Sequence, residues 1–62
     1  MKSMYAVVHE PKAKYRQVYV IALQFVEAST KAEAIRQTGF KRGEEFKAPY
    51  AVAVQPGLLL RV

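Results

Sequence analysis

A chain of 62 residues makes one domain, residues 1–62, and buries only roughly 60% of the surface its unfolded form exposes, so a disulfide, a metal or a second subunit is the expected support. It has no cysteine, which excludes disulfides and thiolate–metal sites, and its 52% hydrophobic content excludes a disordered chain. Ten Lys and Arg against five Glu give a formal charge of +5, which favours acidic partners without choosing among nucleic acid, anionic lipid and an acidic protein surface.

The first predicted element is a strand over Met4 to His9, MYAVVH, short and rich in β-formers. EPKAKYR follows, and Pro11 marks it as a hairpin loop. Gln17 to Ala28, QVYVIALQFVEA, carries the strongest signal in the chain. By period two, Tyr19, Ile21, Leu23 and Phe25 share one face, and Val18, Val20, Ala22 and Val26 share the other with Gln24. Both faces are apolar, whereas a strand with one wet face alternates more cleanly. Something should therefore cover the second face, and in so short a chain a second subunit is the expected cover. Twelve extended residues would run about 40 Å, longer than a usual strand, so a bend, a bulge or an overhang is expected.

A helix is predicted over Lys31 to Thr38. Thr30 is a good N-cap, Glu33 completes the T-x-x-E capping box, and Gly39 supplies the C′ stop. Its apolar stripe is thin, with Ile35 as anchor and Ala32 beside it. The charged connection FKRGEEFKAP, Phe40 to Pro49, should be held down by two aromatic plugs, Phe40 and Phe46. Tyr50 to Gln55, YAVAVQ, reads as a third strand, Pro56-Gly57 as a type II turn, and Leu58 to Val62 as a short fourth strand or apolar tail.

The expected fold class is α+β: a small ββαβ(β) domain whose mostly antiparallel three- to four-stranded sheet carries one helix on one face. The helix returns the chain, so the third strand should run in the same sense as the second. If the first lies between them, every neighbouring pair is antiparallel, a split β-α-β arrangement. The alternative places the second strand in the centre.

Chemistry has little to work with. There is no Asp, no Asn and a single His, so neither a Ser-His-Asp triad nor a His-rich metal site can be assembled. His9 with Glu10 is the one candidate acid–base pair, and a strand-end histidine beside a turn is its plainer reading. Glu44 and Glu45 are expected in solvent. No phosphate-cradling glycine loop is present. No enzyme activity, cofactor or metal is expected.

Two binding surfaces stand out. The basic loop Lys12, Lys14, Tyr15 and Arg16, joined across the fold by Lys41 and Arg42, could neutralise phosphates and stack a base, although Glu44 and Glu45 oppose it and loops carry lysines simply because they are wet. The second is apolar: Val18 and Val20 on the second strand and the three leucines Leu58, Leu59 and Leu60, which are costly in water and should pack or form an interface. Tyr5, Tyr19, Phe25 and Tyr50 are read as core, or as an exposed aromatic sheet surface.

VYVIALQFV, the most apolar run, is nine residues, against about 20 for a spanning helix. The start, MKSMYAVVHEP, lacks a signal-peptide core. A soluble protein of the cytoplasm is expected, with no membrane contact.

The stretch VEASTKAEAI resembles the strand–EA-x-S/T-x-x-EA–helix joint of many small bacteriophage accessory proteins, through Glu27, Ala28, Thr30, Glu33 and Ala34. The likeness spans Val18 to Gln37, about a third of the chain, and a capping box with close helix–sheet packing recreates such a joint by convergence. A similar joint occurs in a small archaeal ribosomal protein family, whose basic segment after the helix is faintly echoed by FKRGEEFK. The phage resemblance implies a non-enzymatic modulator that binds a host protein or complex in the host cytoplasm. It implies no functional residue. Together these readings predict a homodimer acting through protein–protein contact, with nucleic-acid binding as the alternative.

Overall fold

A computed structural model describes residues 2–54, and the expected Pro56-Gly57 turn and the segment with Leu58, Leu59 and Leu60 lie outside them. The elements are β1 (Ser3–His9), a single 3-10 turn at Ala13–Tyr15, β2 (Ala22–Ala28), α1 (Lys31–Thr38) and β3 (Tyr50–Ala53). The sheet order is β2-β1-β3, and both pairs are antiparallel. The fold is α+β with β1 in the centre, so the split arrangement holds and a central β2 does not. A further backbone bond, Val54 N–H to the Met4 carbonyl at 2.9 Å, carries the third strand one residue past its regular end.

β2 begins five residues later than the sequence predicts. Its partner β1 ends at His9, which pairs with Ala22. Beyond that point Pro11 has no N–H to donate to a ladder. Gln17 to Ile21 therefore have no strand to pair with. Val18 and Tyr19 instead donate their N–H groups to the Tyr15 carbonyl, at 3.0 and 2.9 Å, and wrap the chain around the 3-10 turn.

α1 starts and stops as predicted. The Thr30 hydroxyl accepts from the Glu33 N–H at 3.1 Å, and Gly39 takes a left-handed φ of 77°, which only glycine adopts without steric cost. The capping box is half built. The Glu33 carboxylate accepts from Gln37 Nε2 at 3.4 Å rather than reaching back to Thr30. Gln37 Nε2 also donates to the Glu27 carbonyl at 3.0 Å, tying the helix to the end of β2. The docking residue differs from expectation: Ala34 is fully buried, Ile35 half-buried, and Ala32 exposed. Both alanines neighbour Ile35 on the helix surface, and the seat on the sheet selects the Ala34 side.

The core is small. It consists of Val7, Val26, Ala28, Ala34 and Ala51, with Tyr5, Ile35 and Phe40 packed against it. The register explains the set. Tyr5 and Val7 on β1, Val26 on β2 (paired with Tyr5) and Ala51 on β3 (paired with Val7) all point to one face, and α1 lies on it. Alanines at positions 28, 34 and 51 let the helix come close. The shortest dimension, 11 Å, leaves room for two layers and no third.

Candidate functional site

The face of the sheet away from α1 is a continuous apolar surface. Side chains directly opposite on paired strands share a face, so the register lays it out as a grid. Phe25, Ala6 and Val52 form one row, and Leu23, Val8 and Tyr50 form the next. Met4 extends the central column, paired with Glu27. Phe25 is 53% exposed, Leu23 55%, Val52 49% and Tyr50 47%. These are large apolar groups held half out of water by a rigid ladder. Within the strands this face carries no Lys or Arg, and Glu27 is its one charge.

The exposed apolar residues of β2 differ from those expected. In β2 the even positions Val26 and Ala28 turn to the helix, and the odd positions Leu23 and Phe25 are the open ones. The short link through Ser29 to Thr30 drops α1 onto the face that carries Ala28. Val18 and Val20 are among the most exposed apolar residues, at 72% and 85%, but they lie in the turn ahead of β2 and not on a strand.

The second surface is the end of the sheet where β1 finishes and β2 and β3 begin. Here the loops 10–21 and 39–49 are zipped together. Lys12 N–H donates to the Glu45 carbonyl at 2.8 Å, Lys47 N–H donates to the Glu10 carbonyl at 2.9 Å, and Pro11 bridges Phe46. The loop that carries Lys12, Lys14 and Arg16 and the one that carries Lys41 and Arg42 thus lie at one end. All of these cations but the half-buried Lys12 are exposed. Lys14 Nζ stands 5.8 Å from the centre of the Tyr15 ring.

His9 forms the centre of this zipper. Its ring stacks between Phe40, at 4.9 Å, and Phe46, at 4.7 Å, so both predicted plugs hold the loop through the histidine. Its Nε2 lies 3.1 Å from the Lys41 carbonyl. A carbonyl only accepts, so Nε2 carries the proton in this arrangement. His9 and Glu10 have separate partners: His9 is buried among the aromatics, while the Glu10 carboxylate accepts from the Tyr50 hydroxyl at 2.8 Å.

Glu45 is likewise not free in solvent. It is half-buried and accepts from the Tyr19 hydroxyl at 2.6 Å; Glu44 is exposed as expected. Both phenols have their pKa raised, Tyr19 through its hydrogen bond to Glu45 and Tyr50 through its hydrogen bond to Glu10, because a proton shared with a carboxylate is harder to remove. Tyr19 also packs at 5.2 Å on Phe46 and at 6.1 Å on Tyr15, joining the basic loop to the aromatic stack. Sequence spacing gave no sign of the Tyr19–Glu45 and Tyr50–Glu10 links, whose partners are 26 and 40 residues apart.

Among the described residues no group of three His, Cys, Asp or Glu side chains could hold a metal ion, and no helix is long and apolar enough to cross a membrane. Comparison with protein-family models, curated proteins and solved structures finds no match.

Proposed function

We propose that this chain is a non-enzymatic binding protein that self-associates and acts by contact with another protein, in the manner of a phage modulator of a host factor. The observation that carries the reading is the open sheet face, where Leu23, Phe25, Tyr50 and Val52 stand half exposed on one rigid surface. Exposed apolar patches of about 300–600 Å² on a small protein are commonly interaction sites. The resemblance of the β2–α1 joint to phage accessory proteins supplies the setting, the cytoplasm of a bacterial host. Affinity capture from bacterial lysate with the wild-type chain and a Phe25→Thr variant tests this. The reading expects a host protein held by the self-associated wild-type chain and lost or weakened with the variant, in which association fails. Identical captures with both chains would overturn the role of the face.

A second reading, nucleic-acid binding, is favoured by one observation: the zipper gathers Lys12, Lys14, Arg16, Lys41 and Arg42 at one end, with Tyr15 beside Lys14. It predicts binding that falls steeply with salt and that weakens when Lys14 and Arg16 are changed to Gln. Absence of binding to single- and double-stranded DNA and RNA at low salt would remove it.

A further inference from the structure

We infer that the occupant of the open sheet face is a second copy of this chain, packed sheet on sheet with strands aligned, so that two helices enclose two sheets. The inference deepens the self-association reading above and rests on it.

Three observations on the face point to a copy of itself. The first is how the side chains are placed. The four corners of the grid are Phe25 and Leu23 on β2, and Val52 and Tyr50 on β3, with Phe25 opposite Val52 and Leu23 opposite Tyr50 across the central strand. The two aromatics therefore occupy one diagonal and the two aliphatics the other. Closed dimers are built on two-fold axes, and a face-to-face two-fold lies between the sheets. With the axis along the strands, Phe25 meets the second copy at Val52 and Tyr50 meets it at Leu23. With the axis across the strands, Phe25 meets Leu23 and Tyr50 meets Val52. Either aligned packing seats every aromatic on an aliphatic, as interdigitating layers require. The small Ala6 between Phe25 and Val52 leaves a dip in the middle of the row, into which a facing ring can lean.

The second is area. Phe and Tyr side chains bury about 150–250 Å² each, so Phe25 and Tyr50, half exposed, offer about 100 Å² apiece, and with Met4, Leu23 and Val52 the face presents on the order of 500 Å². Val18, Val20 and Ile21 lead directly into β2 and are exposed by 72%, 85% and 59%. The sheet face alone, at about 500 Å² per copy, gives about 1,000 Å² in total, the lower bound for a specific interface, and any part of these three residues reached by the second copy adds to it. A single copy needs such support, since its own core holds two valines and three alanines.

The third is charge. Each copy carries a formal +5, so like copies repel. The cations named above sit in the loops at the sheet end, and the strand positions of the open face hold none. Two copies can meet there with the least repulsion. Glu27 on the face and Glu10 beside Tyr50 make the same surface a poor seat for phosphates, which is why the occupant is argued as protein. The hydroxyl of Tyr50 is already fixed by Glu10 at 2.8 Å, so its ring is held in place before association.

Sedimentation velocity across a concentration series on the full chain tests the inference, with Phe25→Thr and the near-isosteric Val52→Thr beside it and circular dichroism as the check on folding. The expected result is a wild-type dimer whose dissociation constant rises roughly a hundredfold in Phe25→Thr and about tenfold in Val52→Thr. Val52→Thr keeps the test decisive if Phe25→Thr fails to fold. A dimer indifferent to both substitutions would overturn the face assignment and leave self-association standing. A wild-type monomer at every concentration would overturn both. A monomer that dimerises only once the chain is cut after Val54 would overturn the inference in favour of the chain's own residues 55–62 as the cover.

Discussion

The two faces of one three-stranded sheet differ in what covers them far more than in how apolar they are. On the covered face, Val7, Val26, Ala28 and Ala51 meet Ala34 of α1 and are buried. On the other, Leu23, Phe25, Tyr50 and Val52 are larger and remain about half exposed. The small residues lie where the helix must come close, and the large ones lie where the described residues supply no cover. A face built only to meet water would carry alternating polar groups, as antiparallel sheets with one solvated side do. One face is closed by α1, and the other is the face proposed above to be closed by association.

The contrast can be broken from either side. The largest effect on folding should come from the covered face. Val7→Ala removes two methyl groups from a fully buried position and should cost about 2–3 kcal/mol. Val52→Ala on the open face, measured like Val7→Ala in a Phe25→Thr background so that association does not contribute, should change stability by less than about 0.5 kcal/mol. Urea unfolding followed by circular dichroism checks both, and equal costs would erase the distinction between the faces.

A smaller effect belongs to the joint that carries the chain from one to the other. Thr30→Ala deletes the cap that receives the Glu33 N–H and should lower stability by about 1 kcal/mol. Urea unfolding should show this loss recovered in large part by Thr30→Ser, which keeps the hydroxyl.

The smallest effect is a pH dependence at the edges. Tyr19 and Tyr50 have folded-state pKa values raised above the ordinary phenol value, so each contributes stability that is fully present below about pH 10, the unfolded phenol's pKa. That contribution is lost as pH rises through the folded pKa, because the unfolded chain ionises first. Thermal melts should therefore fall with pH above about 10, and a Tyr19→Phe, Tyr50→Phe double variant should fall less steeply over the same window.

Much of the covered face was legible in the sequence. Thr30, Glu33 and Gly39 delimit α1 because capping is local chemistry, and the strands of β1 and β3 follow from β-rich runs with turn residues around them. Sequence alone predicts too long a β2, because Gln17 to Ile21 are rich in strand formers and only the tertiary fact that β1 ends at His9 denies them a partner. Period two divided β2 into two apolar sets but carried no mark of which set the helix would take. The packing of Ala34 with Val26 and Ala28 makes that choice, so Leu23 and Phe25 are the strand residues left exposed, while Val18 and Val20 lie ahead of the strand. The two basic segments are plain in the sequence, but their meeting at one end follows from backbone pairing between the loops. The zipper that holds them was not: His9 stacks on rings 31 and 37 positions away (residues 40 and 46 against 9), beyond any local pattern.

Whether the open face is an interface can be read methyl by methyl. A soluble paramagnetic agent added to methyl-labelled protein reads it most directly, because it broadens methyl groups according to their access to solvent. As protein concentration rises, the account predicts that the Leu23 and Val52 methyls become protected towards the level of Val7, while the methyl of Ala32, on the outer side of α1, stays accessible. Leu23 and Val52 methyls that remain as accessible as Ala32 at every concentration would contradict it.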